Sequence, residues 1–133
     1  MLDVTVPGDP ANIGLSGSQR PVVVGPQSSS CGSGHLTNCI NASAYALPAP
    51  YTFGNTARNS LRGPGFVNFD VSLFKNFYLR ESVKVQIRAE SFNILNHPSF
   101  SNPSATFNTG AFGSVTSTSN NNRQIQLAAK ILF

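Results

Sequence analysis

From residue 66 onward, apolar and polar side chains alternate with a period of two, which is typical of β-strands with one apolar face. The alternation occupies three stretches and predicts strands at 66–77, 83–96 and 123–133, with a loop at 97–122. A short polar segment separates the first two strands, which are expected to form an antiparallel hairpin. The fold class is therefore predicted to be all-β, with antiparallel strands that follow a long irregular segment.

Two details of the alternation constrain the hairpin. Facing residues share one side of a sheet, so odd positions must pair with odd positions. This requires a turn with an odd number of residues and excludes a two-residue turn on Arg80–Glu81. Beyond Glu90 the phase reverses, because Phe92 and Ile94 are apolar at even positions. Either a β-bulge near Ser91 lets the strand continue, or the strand ends there and both side chains pack in a loop.

The first 65 residues have a different character. They hold seven of the nine prolines and few charged residues. Proline fixes φ and cannot donate a hydrogen bond to a strand ladder. We therefore expect residues 1–65 to be an irregular loop without a packed core. Loops of this length are unusual in compact soluble domains, so the segment is expected either to be disordered or to decorate a larger scaffold.

The length of the predicted strands points to a membrane. They are about 9–11 residues long, as a tilted strand that crosses hydrocarbon must be, whereas strands of soluble proteins usually have about 5–6 residues. A half-buried soluble strand alternates in the same way. Phe77, Tyr78 and Phe133 would lie at one end of the sheet, as in the aromatic girdle of a membrane barrel. We predict lipid against the apolar face. Three strands cannot close a barrel, so further strands must complete it.

Composition and charge argue against several other classes. Only 11% of the residues are charged, so uncharged polar groups must cover most of the polar surface. The net charge of +4 is spread singly along the chain, which makes nucleic acid a poor partner. No apolar run approaches the ~20 residues of a membrane-spanning helix. Met1–Val4 does not resemble the basic start of a signal peptide.

Few residues have the spacing that catalysis or metal binding requires. Cys31 and Cys39 form an even pair in a loop rich in glycine and serine. Outside the cytosol they are predicted to form a disulfide, with two free thiols as the alternative. His35 would complete only three ligands at a spacing that is not typical of zinc. No serine or carboxylate lies in a recognisable catalytic arrangement, so we expect no enzyme activity, no metal and no cofactor.

Four charged residues fall on the polar face of the predicted strands: Asp70, Arg88, Glu90 and Lys130. In a barrel this face lines a water-filled lumen. The four side chains are expected to face that lumen, where they either pair and contact a plug or remain solvated.

Several separated motifs resemble the closing region of TonB-dependent receptors, and the Oar-like subgroup is the most similar. The motifs are FGNTARNSLRGPG at 53–65, NFDVSLFKNF at 68–77, RAESFNILNHP at 88–98 and the terminal stretch 123–133. They occur in the same order as in that family, and the resemblance extends from Tyr51 to Phe133. It implies a barrel of roughly 22 strands around a plug domain, in the cell outer membrane, with ligand uptake driven by a periplasmic coupling protein.

The resemblance also implies an orientation and partners. The turn at 78–82 would be periplasmic, and 1–65 and 97–122 would be extracellular loops. The terminal assembly signal, read by the outer-membrane assembly machinery, would consist of Ile125, Leu127, Ile131 and Phe133. The plug, its coupling box and the preceding strands are not in this sequence, so we expect a fragment that is not competent for transport alone. The alternative is a secreted soluble β-rich binding or adhesion module.

Overall fold

The computed structural model describes residues 1–17, 19–32 and 34–133, which form two compact units. The first comprises Met1–Gly65 and Phe100–Ser117, and the second comprises Phe66–Ser99 and Thr118–Phe133. The elements are β1 (Val22–Val23), a 3₁₀-helix (Ala42–Ala44), β2 (Tyr45–Ala46), β3 (Val71–Arg80), β4 (Val83–Phe92) and β5 (Gln124–Leu132). The fold is all-β with antiparallel strand pairs, as predicted. Among the described residues, no helix has both the length and the apolar character that crossing a membrane requires.

The second unit is a three-stranded antiparallel sheet with the order β3-β4-β5. Its register pairs Leu73 with Ala89 and Ala89 with Leu127, so odd residues face odd residues from Val71 to Tyr78 of β3 and along the whole β4–β5 pair. The apolar positions therefore share one face of the sheet, since opposed residues project to the same side. β3 and β5 are the two edges of this sheet.

The β3–β4 turn differs from the predicted odd-numbered turn. Only Glu81 and Ser82 connect the strands, because β3 continues to Arg80. The register passes from Tyr78 opposite Lys84 to Arg80 opposite Val83, which leaves Leu79 as an extra residue. A bulge at Leu79 therefore supplies the extra residue that keeps odd positions opposite odd positions. The sequence predicts this extra residue in the turn, whereas it lies inside β3.

The predicted strand bounds are wrong at both ends of the hairpin. The ladder of β3 begins at Val71, so the strand is 71–80 and not 66–77. β4 ends at Phe92, so it is 83–92 and not 83–96. The register runs unbroken through Ser91, which faces both Val71 and Ile125, so no bulge lies there. The strand therefore ends without a bulge, but Phe92 is its last residue, and Phe92 and Ile94 are exposed rather than packed in a loop.

Asparagines in the left-handed region turn the chain after β4. Asn93 has φ 49° and Asn96 has φ 51°, and the Asn96 backbone N–H donates to the Asn93 carbonyl oxygen at 2.8 Å. Asparagine adopts this conformation more readily than most residues with a β-carbon. β5, predicted as 123–133, spans Gln124–Leu132.

The first unit contradicts the expectation of no packed core. Residues buried in its core are Leu2, Val4, Ile40, Ala44, Tyr45 and Leu61. Phe107 and Phe112, from the segment predicted as a loop, pack against this core, and their rings lie 5.8 and 6.0 Å from the Tyr45 ring. Short β-bridges, such as the one between Leu2 and Leu61, replace long strands. The core was missed because each local stretch holds few apolar residues, and it forms only when distant stretches meet.

A disulfide joins Cys31 and Cys39, whose Cα atoms are 5.0 Å apart. The bridged segment is also held by its backbone. The Ser30 N–H donates to the Cys39 carbonyl oxygen at 2.7 Å, and the Cys39 N–H donates to the Gly113 carbonyl oxygen at 2.8 Å. The bridge closes a short loop, at a sequence separation of 8 residues. It therefore ties the loop to the core through Cys39, which is itself buried.

Replacing both cysteines, as Cys31→Ser with Cys39→Ser, is expected to lower the free energy of unfolding of the first unit by about 2–3 kcal/mol. This is the loop-closure entropy that a bridge across a loop of this size removes from the unfolded chain. Faster hydrogen exchange at the Ser30 and Cys39 amides would report the change. A reductant should reproduce the effect in the wild type and leave the double variant unchanged. Equal exchange in all four samples would contradict the expectation.

The Asp9 carboxylate organises a second loop of the first unit. It accepts hydrogen bonds from the Ile13 N–H at 3.1 Å and the Gly14 N–H at 2.6 Å, and from the Gln19 side-chain amide. Desolvation raises the pKa of Asp9, but these hydrogen bonds together outweigh it and leave the pKa below its ordinary value. The ionised carboxylate therefore stabilises this loop.

This stabilisation is expected to depend on pH. Because the folded pKa of Asp9 is depressed, the contribution is complete above the unfolded pKa of about 3.9 and is lost as pH falls through the folded value. Amide exchange at Ile13 and Gly14 should accelerate over that acidic range relative to the core amides. In the Asp9→Asn variant, amide exchange at Ile13 and Gly14 should already be fast at neutral pH. It should also show no acceleration over the acidic range. A wild-type loop with no such acid response would show that the carboxylate charge has no role there.

Candidate barrel wall and its polar face

The apolar face of the β3–β5 sheet has no protein cover among the described residues. Its apolar members are Val71, Leu73, Phe77, Val85, Ile87, Ala89, Ile125, Leu127, Ala129 and Ile131. Leu73 is 71% exposed and Leu127 is 76% exposed, although both lie in the middle of hydrogen-bonded strands. A soluble protein rarely exposes so continuous an apolar surface, so this face requires a nonaqueous neighbour.

Lys75 is the charged exception on this face, where it lies opposite Ile87. Because β3 extends to Arg80, Lys75 is in the middle of the strand. Nothing in the structure explains its position. Ser91, also on this face, lies at the end of β4.

The opposite face carries two groups of hydrogen-bonded polar side chains. The Arg88 guanidinium forms an ion pair with the Glu90 carboxylate at 2.6 Å, and the Ser72 hydroxyl donates to the same carboxylate at 3.2 Å. The Gln86 amide donates to the Asn76 side-chain oxygen at 2.9 Å, across the β3–β4 pair. Hydrogen bonds between neighbouring strands thus join the polar side chains. An Arg–Glu pair of this exposure contributes little to stability, so the two groups are better understood as a hydrophilic surface.

The structure separates the four charged residues that the sequence grouped. Arg88 and Glu90 are in contact. Lys130 shares their face but lies opposite Gln86. Asp70 precedes β3, and its carboxylate accepts hydrogen bonds from the Asn93 N–H and the Asn68 side-chain amide, both at 2.9 Å. Asp70 therefore fixes the turn at the end of β4 and is not part of the ion pair.

A cluster of three asparagines, Asn93, Asn96 and Asn120, closes the end of the sheet opposite the Glu81–Ser82 turn. The Asn93 side chain accepts from the His97 N–H at 3.0 Å and donates to the Asn121 carbonyl oxygen at 2.9 Å. The Asn96 side chain accepts from the Arg123 N–H at 3.0 Å. Sequence reasoning missed this asparagine cluster. The signal was present, since uncharged asparagines follow β4 and precede β5 where backbone groups need partners.

Asn120 and Ser99 complete the closure. Asn120 accepts from the Ser99 N–H at 2.8 Å and donates to the His97 carbonyl oxygen at 2.7 Å. The buried Ser99 hydroxyl donates to the Val67 carbonyl oxygen at 3.0 Å. The segments before β3, after β4 and before β5 are thereby held together by side chains.

The other predicted site residues lie as follows. Ile125, Leu127 and Ile131 are exposed on the apolar face of β5, and Phe133 follows that strand and is fully exposed. His35 lies in the loop closed by the disulfide, and both sulfur atoms are engaged in that bond. No cluster of three or more His, Cys, Asp or Glu side chains occurs within residues 1–17, 19–32 and 34–133.

Strands of 10, 10 and 9 residues with one uncovered apolar face and one polar face define a segment of transmembrane β-barrel wall. The family model described as "Outer membrane beta barrel domain" matches residues 1–126. The chain belongs to this family, and it is an outer-membrane protein. No curated protein and no solved structure matches the chain.

The match to the family model includes the proline-rich residues 1–65. An outer-membrane location excludes the secreted soluble module. The three strands leave two open edges, so the barrel is not closed by the described part of this chain.

Proposed function

We propose that this chain forms the closing part of the barrel wall of a TonB-dependent receptor of the Oar-like subgroup. In this role it is a structural segment that cannot transport a ligand alone. The uncovered apolar face of β3, β4 and β5 is the observation that carries the proposal, because that face fits lipid and the open strand edges require neighbouring strands.

The positions of the resembling motifs support the finer assignment. Residues 68–77 and 88–98 lie on either side of the β3–β4 turn and form one contiguous structure. β3 pairs with β4, and the Asp70 carboxylate accepts from the Asn93 N–H. Residues 93–98 supply asparagines to the closure described above. The motifs thus coincide with the β3–β4 hairpin and with part of the asparagine cluster that closes the end of the sheet.

The proposal includes partners and excludes catalysis. Lipid covers the apolar face, further barrel strands pair with β3 and β5, and a plug domain contacts the polar face around Arg88 and Glu90. The assembly machinery recognises the alternating side chains of β5 followed by Phe133. The chain performs no reaction of its own and binds no nucleic acid. In this orientation the Glu81–Ser82 turn is periplasmic, and both the asparagine cluster and the first unit are extracellular.

Two measurements test this proposal. Reading the genomic DNA upstream of Met1 should show an open frame that encodes a plug, its coupling box and further alternating strands. Stop codons followed by a ribosome-binding site would contradict the assignment to a receptor of this class. Separately, the product of the whole frame should migrate differently on gels when heated and unheated, as a closed barrel does. Identical migration would argue against a closed barrel.

A further inference from the structure

A polar cleft of about 290 Å³ lies at the end of the sheet that the asparagine cluster closes. All of its lining residues belong to the second unit. Besides Asn93 and Asn120, the cleft is lined by Asn68, Asp70, Phe92, Asn121, Asn122 and Gln124. A second cleft of about 410 Å³ adjoins it and shares Asn93 and residues 120–122. The two adjoining clefts are called the recess below.

Some side chains of the recess are held by hydrogen bonds within the protein, and others are left available to a ligand. Asn93 is only 5% exposed, and both ends of its side-chain amide are engaged in hydrogen bonds. In contrast, the side-chain amides of Asn121, Asn122 and Gln124 have no hydrogen-bond partner among the described residues. Because Asn93 is already held in place, binding loses less conformational entropy there. The exposed amides offer a ligand both hydrogen-bond donors and acceptors.

An aromatic ring adjoins these amides. Phe92 lies directly opposite Gln124 in the β4–β5 pair, and its side chain is 41% exposed. The face of an aromatic ring carries partial negative charge, which attracts the weakly positive C–H groups of an apolar or sugar surface. The recess therefore combines one apolar platform with several neutral groups that can each donate and accept.

The charges of the recess restrict the ligand class. No basic residue lines it within the described part of the chain, and its one carboxylate is that of Asp70. An anionic ligand would meet repulsion without a compensating cation. A metal ion would find one carboxylate, whose Oδ1 already accepts two hydrogen bonds. A neutral ligand with many hydroxyl groups satisfies both restrictions, since each hydroxyl can donate and accept.

We propose that this recess is a binding site for a neutral saccharide chain, with a pyranose ring against Phe92 and its hydroxyls bonded to Asn121, Asn122 and Gln124. Two adjoining clefts suit a chain of linked sugars better than a single ring. The site does not depend on energy coupling, so it goes beyond the receptor assignment. Soluble oligosaccharides and the sugars of a surface glycolipid share this chemistry.

The test uses the product of the whole open reading frame in lauryldimethylamine oxide, a detergent without a sugar headgroup. Saturation-transfer NMR would measure binding of maltohexaose, of chitohexaose and of a neutral O-antigen oligosaccharide released from lipopolysaccharide. Hexagalacturonate serves as the anionic comparison. We expect at least one neutral probe to bind and hexagalacturonate to bind more weakly. The probe that binds distinguishes a soluble from a surface source.

Gln124→Ala is expected to weaken binding of that probe roughly three- to tenfold, the effect of losing a hydrogen bond. Gln126→Ala is the matched control, because Gln126 lies on the same face of β5 but does not line the recess. Asn122→Ala provides a second test if Gln124→Ala does not fold. Binding by none of the neutral probes, or equal weakening by the Gln124 and Gln126 variants, would overturn the proposal. Failure of the receptor assignment would leave this result unchanged.

Discussion

Leu127→Arg is expected to lower the stability of the membrane-inserted chain by about 2–4 kcal/mol, the cost of arginine on the lipid face near the bilayer midplane. Leu127 lies in the middle of β5, opposite Ala89, and its side chain is exposed on the apolar face. Arginine there must either enter hydrocarbon or distort the strand. The fraction of the chain recovered in outer membranes in a urea-resistant form would measure the loss.

The matched control for this variant is Gln126→Arg, one residue earlier on the same strand. Gln126 lies on the polar face, opposite Glu90, so the new guanidinium would face a carboxylate and water. We expect Gln126→Arg to insert as well as the wild type. If both arginine variants insert equally well, or if Gln126→Arg is the worse of the two, the apolar face does not meet lipid.

Asn93→Ala is expected to have the second large effect, a destabilisation of about 3–5 kcal/mol. Its side chain makes three hydrogen bonds, with the His97 N–H and with the carbonyl oxygens of His97 and Asn121. Alanine would leave these groups without their partner in a buried place and would also hold a β-carbon at φ 49°. A lower urea midpoint for unfolding of the second unit would measure the effect.

Two comparisons separate the causes in the Asn93 variant. Asn93→Gly removes the hydrogen bonds but relieves the backbone strain, so it should be less damaging than Asn93→Ala by about 1 kcal/mol. Asn122→Ala changes an exposed asparagine of the neighbouring segment and should leave the midpoint unchanged. A neutral Asn93→Ala would show that the closure does not depend on this side chain.

The alternation of side chains was enough to predict three strands, the hairpin of the first two and one apolar face. A period of two between Val71 and Phe77 and between Val83 and Ala89 assigns each residue to one side of the sheet. The ends of the strands were not predictable in this way. The bulge at Leu79 and the left-handed Asn93 are set by turn geometry, which the hydrophobic pattern does not record.

The core of the first unit was beyond local reasoning for a different reason. Leu2 meets Leu61 in a β-bridge, and the Thr5 N–H donates to the Ala105 carbonyl oxygen at 3.0 Å. Each contact joins residues that are distant in sequence, and no stretch between them has a regular period. The prolines prevent only long ladders and do not prevent a core, because short bridges suffice here.

The three asparagines and Ser99 illustrate the part of the site that could have been anticipated. Residues 96–122 hold no Asp, Glu, Lys or Arg, so neutral amides and hydroxyls must satisfy the backbone groups there. Which asparagine bonds to which backbone group depends on the approach of three separate segments. That approach is visible only in the folded chain.

Nitroxide scanning along residues 124–132 in outer membranes tests the central claim most directly. The native cysteines are joined to each other, so single engineered cysteines can be labelled selectively. We expect oxygen to reach labels at positions 125, 127 and 131 and a water-soluble nickel reagent to reach labels at 124, 126 and 130. The opposite alternation, or labels at the odd positions that neither reagent reaches, would contradict contact between this face and lipid.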